Sequence, residues 1–208
     1  AYEHPGTWNI SSDGTAKRRM QRRKVPLMRV SAAIAVGVLV LTAGCAGIPV
    51  EDVLSTAPGS QNATVTDVVD GDTVDVRLAD GSTDRVRLLG VDTPEVHVEP
   101  QPEEFEGVPE TAAGEACLRS MGTNASAAVA DRLEGEQVRL EFDPMADRRG
   151  GYDRLLAYVV HDNESINYWL VESGYARVYD SEFVEAPRYY AAESDAQAAG
   201  IGVWNCAA

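Results

Sequence analysis

The stretch RLLGVDTPE, Arg87–Glu95, sets an arginine at the start of an apolar run and two carboxylates, a hydroxyl and a proline just past it. A further acid, Asp72 of DGDT, shares strand parity with Val74, Val76 and Leu78 and so stands at the end of an apolar face. An ionised carboxylate there is costly unless it is paired or bound to a cation. Asp92 lies just beyond the strand that returns alongside, and hairpin geometry can bring both acids to one end of a barrel. Two carboxylates, a nearby backbone carbonyl and waters make a site for a hard cation such as Ca2+. Arg87 and Arg154, the latter in GYDRLLAY, add two guanidinium forks, which grip phosphate oxygens through paired hydrogen bonds and stay charged at any pH. Cation, carboxylate base and two arginines are the parts needed for in-line attack of water on a phosphodiester. Taken alone, DGDT reads as a tight turn and DTPE as a proline turn; the two arginines are what a turn does not explain.

These residues need a scaffold that brings them together. The run from Ala63 to Glu95 alternates apolar and polar residues, turns at Asp80-Gly81 and returns with Val86 and Leu88 inward, a meander of about three strands. EQVRLEFD, with Val138, Leu140 and Phe142, and RLLAYVV, Arg154–Val160, supply two more. Five short strands suggest a small barrel rather than a sandwich. Helices are predicted for NASAAVADRLEG, capped by Asn124, for SINYWLVESG, capped by Ser165, and for APRYYAAESDAQAAG. The fold class is therefore α+β, mainly β. The acidic segment Glu99–Glu110 reads as a solvated insertion, and Trp169 and Trp204 as core. Tyr152 and Tyr179 are candidates to stack on bases.

The chain has 208 residues, enough for one domain with a tail. From Cys45 onward it carries 31 acids, 11 arginines and no lysine, a formal charge of −20. That balance argues against a protein that coats polyanions through a basic stripe. It fits a surface adapted to concentrated salt, where the Debye length falls to about 3 Å. Ahead of it, MQRRKVPLMRVSAAIAVGVLVLTAGC has a basic region, an apolar run too short to span a membrane comfortably, and small residues before Cys45. This is an export signal; TAGC points to lipid attachment at Cys45, with an uncleaved anchor or a plain signal peptide as the alternatives. Residues 1–45 are thus extension and signal, 46–62 a tether, and 63–208 the domain. If lipid consumes Cys45, Cys117 and Cys206 remain as a pair in an oxidising compartment and are expected to form a disulfide. With His97 and His161 alone in the mature region, zinc is disfavoured.

DGDTV, RLLGVDTPE, YDRLLAYV, INYWLVESGYARV and AQAAGIGVW, in this order and spacing, resemble the staphylococcal nuclease-like (thermonuclease) family across roughly residues 63–205. The resemblance implies a five-stranded OB-fold barrel with three helices, acting as a monomer, and Ca2+-dependent hydrolysis of DNA and RNA that leaves 3′-phosphates. By matching position it implies Asp72 and Asp92 as side-chain metal ligands and Thr93 as a ligand through its backbone carbonyl. It likewise implies Glu95 as general base, and Arg87 and Arg154 as the phosphate-stabilising arginines. The sequence departs from the family pattern at Asp153, which replaces a glycine, and at Asp180, which follows Tyr179 where a tyrosine pair would continue. A non-catalytic module at the cell envelope, binding nucleic acid or a partner, is the alternative; the retention of all five side chains favours the enzyme.

Overall fold

Alternating apolar residues build the strands that carry the site. The computed structural model describes residues 59–207. The predicted signal segment and Cys45 lie outside the described residues. Strands β1 (Ser60–Asp70), β2 (Thr73–Leu78) and β3 (Thr83–Leu88) form the meander, with Val65, Val74, Val76, Val86 and Leu88 buried on its inner face. β1 takes in Ser60–Asn62, the last residues of the segment read as a tether. After β4 (Val91–Asp92) and a long connection come β5 (Gln137–Glu141) and β6 (Leu155–His161). The sheet order is β3-β2-β1-β5-β6, and a parallel pairing of β3 with β6 closes it into a five-stranded barrel. Closure removes the exposed edges an open sheet would leave. Two short strands complete the set: β7 (Glu164–Ser165) folds back on β6, and β8 (Arg177–Val178) pairs antiparallel with β4.

The first helix, α1, runs over Ala112–Leu133 from a Thr111 cap whose hydroxyl accepts the Gly114 N–H at 3.3 Å, so it begins well before the expected start at Asn124. Its early turns carry Gly114 and Gly122, which weaken helix propensity, yet Leu118, Gly122, Ala125, Val129 and Leu133 recur at helical spacing and are buried. Tertiary packing wins over propensity there. α2 (Ile166–Glu172) is capped by Ser165, as its sequence indicates, and α3 (Ala186–Ala199) follows the predicted segment.

The main core fills the barrel and the faces of α2 and α3, with Leu170 and Tyr189 at its centre. A second core joins Phe105, Val108, Leu118, Val203, Trp204 and Cys206, where the Cys117 and Cys206 sulfurs are bonded with Cα atoms 5.8 Å apart. This corrects the reading of Glu99–Glu110 as wholly solvated: its acids face water, but Phe105 and Val108 are buried in that second core. Two apolar side chains three residues apart outweigh the solvation of the glutamates around them. Trp204 is core as expected, whereas Trp169 is half-buried beneath the guanidinium of Arg132, 3.8 Å from its ring. Among the described residues no helix is long and apolar enough to cross a membrane.

Candidate active site

Register places the charged residues. Thr73 pairs with Arg87 across β2 and β3, and the Leu88 N–H donates to the Asp72 carbonyl at 2.8 Å, which sets the Asp72 side chain beside Arg87. In the β3–β6 seam Arg87 pairs with Leu156, so Arg154, just upstream, reaches the same barrel end from far away in sequence. In the short β4–β8 ladder Asp92 pairs with Arg177. Two glycines permit the close approach of the remaining segment. A Cβ on Gly71 would lie 2.8 Å from the Thr93 side chain, and one on Gly122 would lie 2.3 Å from the Pro94 carbonyl oxygen. Any larger residue at either position would push Thr93 and Pro94 away from Asp72.

Asp72 is 5% exposed and fully engaged. Its Oδ2 accepts the Thr93 N–H at 2.8 Å and the Thr93 hydroxyl at 3.2 Å, while Oδ1 accepts the Thr73 hydroxyl at 3.0 Å and meets Arg87 Nη1. Arg87 Nη2 donates to Asp92 Oδ1 at 2.6 Å, so one guanidinium bridges both carboxylates. Asp92 Oδ2 in turn meets Arg177 Nη2 at 2.8 Å, and the same nitrogen lies 3.4 Å from Glu104 Oε2. Burial alone would lower the Arg87 pKa, but the charges of Asp72 and Asp92 outweigh it and raise it. Burial raises the Asp92 carboxyl, with Arg87 and Arg177 opposing. Asp70, two residues before Asp72, is pushed up to about 6 by burial and by the charge of Asp72. Glu95 lies beyond β4, its side chain largely exposed, and the partial desolvation of its carboxyl beside the cluster, followed by the charges of Asp72 and Asp92, raises its pKa above the ordinary value. A raised pKa makes a deprotonated carboxylate a stronger base, which suits general-base work.

A cleft of about 740 Å³ opens beside this cluster, lined by Arg87, Arg149, Arg154 and Tyr179 among others. Arg154 makes no ion pair with the carboxylates: its Nε donates to the Gly151 carbonyl at 3.2 Å and its guanidinium lies 5.6 Å from the Tyr152 ring. Tyr152 is 96% exposed and lines a second cleft of about 680 Å³ with Arg85 and Arg149, so the two candidate stacking tyrosines border different clefts. Both Tyr152 and Asp153 adopt left-handed backbone, φ 59° in each. Arg149 crosses between the clefts, its Nη2 and Nη1 2.6 and 3.1 Å from the two Asp84 oxygens. Sequence reasoning gave no role to Arg177, Asp70, Arg149 or Glu104. The visible signal for Arg177 was a charge between Ala176 and Val178 in a strand short enough to read as apolar.

The donor set suits a hard cation. Asp72 and Asp92 are carboxylates withdrawn from water, with Glu104 beside Arg177 and Arg87 and Arg177 in opposition among the described residues; burial first, and neighbouring carboxylates second, raise Asp70 and Glu95. Among the described residues no three His, Cys, Asp or Glu side chains enclose a common point. The fit therefore rests on charge and oxygen chemistry, with Arg87 lying between Asp72 and Asp92.

Residues 85–206 match the family of staphylococcal nuclease homologues. The sequence is 36% identical over 148 residues to an uncharacterized protein of Methanocaldococcus jannaschii, an alignment spanning 68% of this chain and 70% of that one. It is 32% identical over 147 residues to endonuclease YncB of Bacillus subtilis, spanning 69% of this chain and 62% of that one. To a thermonuclease of Staphylococcus intermedius it is 32% identical over 143 residues, spanning 66% of this chain and 73% of that one.

Proposed function

Since the chain belongs to the staphylococcal nuclease homologues, we propose that it is a nuclease that hydrolyses phosphodiester bonds of DNA and RNA with Ca2+ and leaves 3′-phosphates. The observation that carries this reading is the Asp72–Arg87–Asp92 cluster standing at the rim of a cleft that Arg154 also lines.

Asp72, Asp92 and the Thr93 carbonyl would hold the cation, which supplies charge against a phosphate oxygen when bound. Glu95 takes a proton from the attacking water as its oxygen bonds to phosphorus. Arg87 exchanges a carboxylate contact for a phosphate oxygen, and Arg154 swings from the Gly151 carbonyl to another; both oppose charge that builds in the transition state. The bond from phosphorus to the 5′ oxygen breaks, and that oxygen is protonated from solvent, leaving the phosphate on the 3′ side. Tyr179 and Tyr152 border the two clefts and offer ring faces to bases.

The basic and apolar run ahead of Cys45 supports a place outside the cell for the enzyme, and TAGC supports Cys45 as the residue through which a lipid would tie it to the membrane. The lysine-free, acidic domain suits work in concentrated salt. Incubating plasmid DNA and RNA with the purified protein in molar salt, with Ca2+ or with a chelator, and mapping the product ends tests the reading. Degradation with Ca2+ to 3′-phosphate ends is expected. Binding without cleavage under both conditions would favour a non-catalytic module instead.

A further inference from the structure

Arg87 is asked to do two things that conflict. In the folded protein it binds both carboxylates, yet in the reaction it must turn toward phosphate. That turn takes a charge-assisted hydrogen bond from Asp92 Oδ1, and a buried carboxylate that loses one is destabilised even with a cation beside it. The other oxygen of Asp92 is already held by Arg177 at 2.8 Å, from a residue directly across the β4–β8 ladder. Arg177 is in turn set from its far side: Glu104 Oε2 is 3.4 Å from the same nitrogen, and the Phe105 ring lies 5.6 Å from its guanidinium. Phe105 belongs to the second core with Leu118 and Trp204, so the acidic segment is anchored where it meets Arg177. Arg177 Nε is buried without a hydrogen-bond partner. A side chain that leaves one donor unmet while its other end grips two carboxylates is placed for that grip, not for its own satisfaction.

We propose that Arg177 is a positioning residue: it keeps Asp92 in place through Oδ2 so that Arg87 can leave Oδ1 for a phosphate oxygen. The segment around Glu104 and Phe105 holds Arg177 to that task. This inference rests on the nuclease reading. It separates two roles a cation beside Asp92 could have. If Arg177 merely built the metal site, its loss would weaken Ca2+ binding. If it frees Arg87, its loss slows turnover and leaves Ca2+ binding intact or tighter, since one competing positive charge has gone.

Arg177→Ala, Arg177→Lys and wild type are compared by kcat and KM on a fluorogenic oligonucleotide and by calorimetric titration of the substrate-free protein with Ca2+. Expected for Arg177→Ala is a fall in kcat of roughly 10-fold, the scale of one lost charge-assisted hydrogen bond, with the Ca2+ dissociation constant not raised. Arg177→Lys, which keeps the charge, should recover most of that loss. An unchanged kcat overturns the proposal, and so does a parallel loss of kcat and Ca2+ affinity. If Arg177→Ala is not folded at the assay temperature, Arg177→Gln carries the same comparison. A wild type that cleaves neither DNA nor RNA overturns the nuclease reading and this proposal with it; a wild type that cleaves, matched by Arg177→Ala, overturns the proposal alone.

Discussion

The two arginines proposed to meet phosphate sit in opposite surroundings. Arg87 is 15% exposed, bridged to two carboxylates inside a cross-tied cluster. Arg154 is half-buried, rests on a carbonyl of its own loop, and follows a turn with two consecutive left-handed residues, next to a partly exposed Arg149–Asp84 pair. Pairs near the surface add little to stability, whereas breaking a buried pair costs several kcal/mol. The barrel end is thus built as a fixed, charge-dense half, and the loop of Arg149–Arg154 as a lightly held half that can adjust to substrate. Preorganised donors cost little to reorganise at the moment of reaction, while lightly held ones allow the substrate to enter and leave.

Substituting the arginines should expose this contrast most strongly. Arg87→Ala and Arg154→Ala are each expected to lower kcat by about 10² to 10³. Only Arg87→Ala should also destabilise the metal-free protein, by about 3 kcal/mol, because it takes the one paired guanidinium from buried Asp72 and leaves Asp92 with Arg177 alone. Ca2+ should restore much of that stability, and thermal melts with Ca2+ and with chelator check it. Equal melting temperatures for the two variants would remove the distinction between the halves.

Cutting the Cys117–Cys206 link by Cys117→Ser with Cys206→Ser opens the second core behind the acidic segment. A loss of about 2 to 4 kcal/mol in denaturant unfolding is expected. The next effect is a gain. Asp70 has a folded pKa of about 6 against 3.8 for an ordinary aspartate, so its charge costs stability above pH 6 and costs nothing once pH falls below both values. Asp70→Asn should therefore stabilise the metal-free protein by on the order of 2 kcal/mol at pH 8, with the advantage gone by pH 4. Melts of both proteins across that range, in chelator, give the difference directly. Last, Asp153→Gly removes a side chain from a left-handed position and should stabilise by about 0.5 to 1 kcal/mol. A loss instead would mean that the Asp153 side chain, 3.6 Å from Arg149, supports the loop more than its backbone strains it.

What the sequence made legible follows the same division. Strict alternation around Val74, Val76, Val86 and Leu88 exposes the barrel strands, and an acid sharing their parity exposes Asp72. Asp72, Arg87 and Asp92 could be grouped because the β2–β3 hairpin sets Asp72 beside Arg87 and Asp92 follows β3 closely, whereas Thr93 entered through the family resemblance alone. Arg177 escaped notice because a two-residue strand leaves no periodicity to read, and the β4–β8 pairing that brings it to Asp92 spans residues far apart in sequence. The first half of α1 was hidden by Gly114 and Gly122, glycines whose value is the space they leave for Pro109 and Pro94 rather than any helical preference. Phe105 and Val108 were hidden among glutamates, since burial of two apolar side chains in a charged segment depends on a surface that only the folded chain supplies.

The most direct test of the catalytic assignment is kcat of Glu95→Gln measured beside its calorimetric Ca2+ affinity in molar salt. The expected result is a fall in kcat of about 10² to 10⁴ with Ca2+ binding largely kept. Wild-type kcat falling as pH drops through a value above the ordinary glutamate pKa should accompany it, because burial and the charges of Asp72 and Asp92 raise Glu95 and the base must be deprotonated to act. Near-normal cleavage by Glu95→Gln would contradict the assignment of the barrel-end cluster as the catalytic centre.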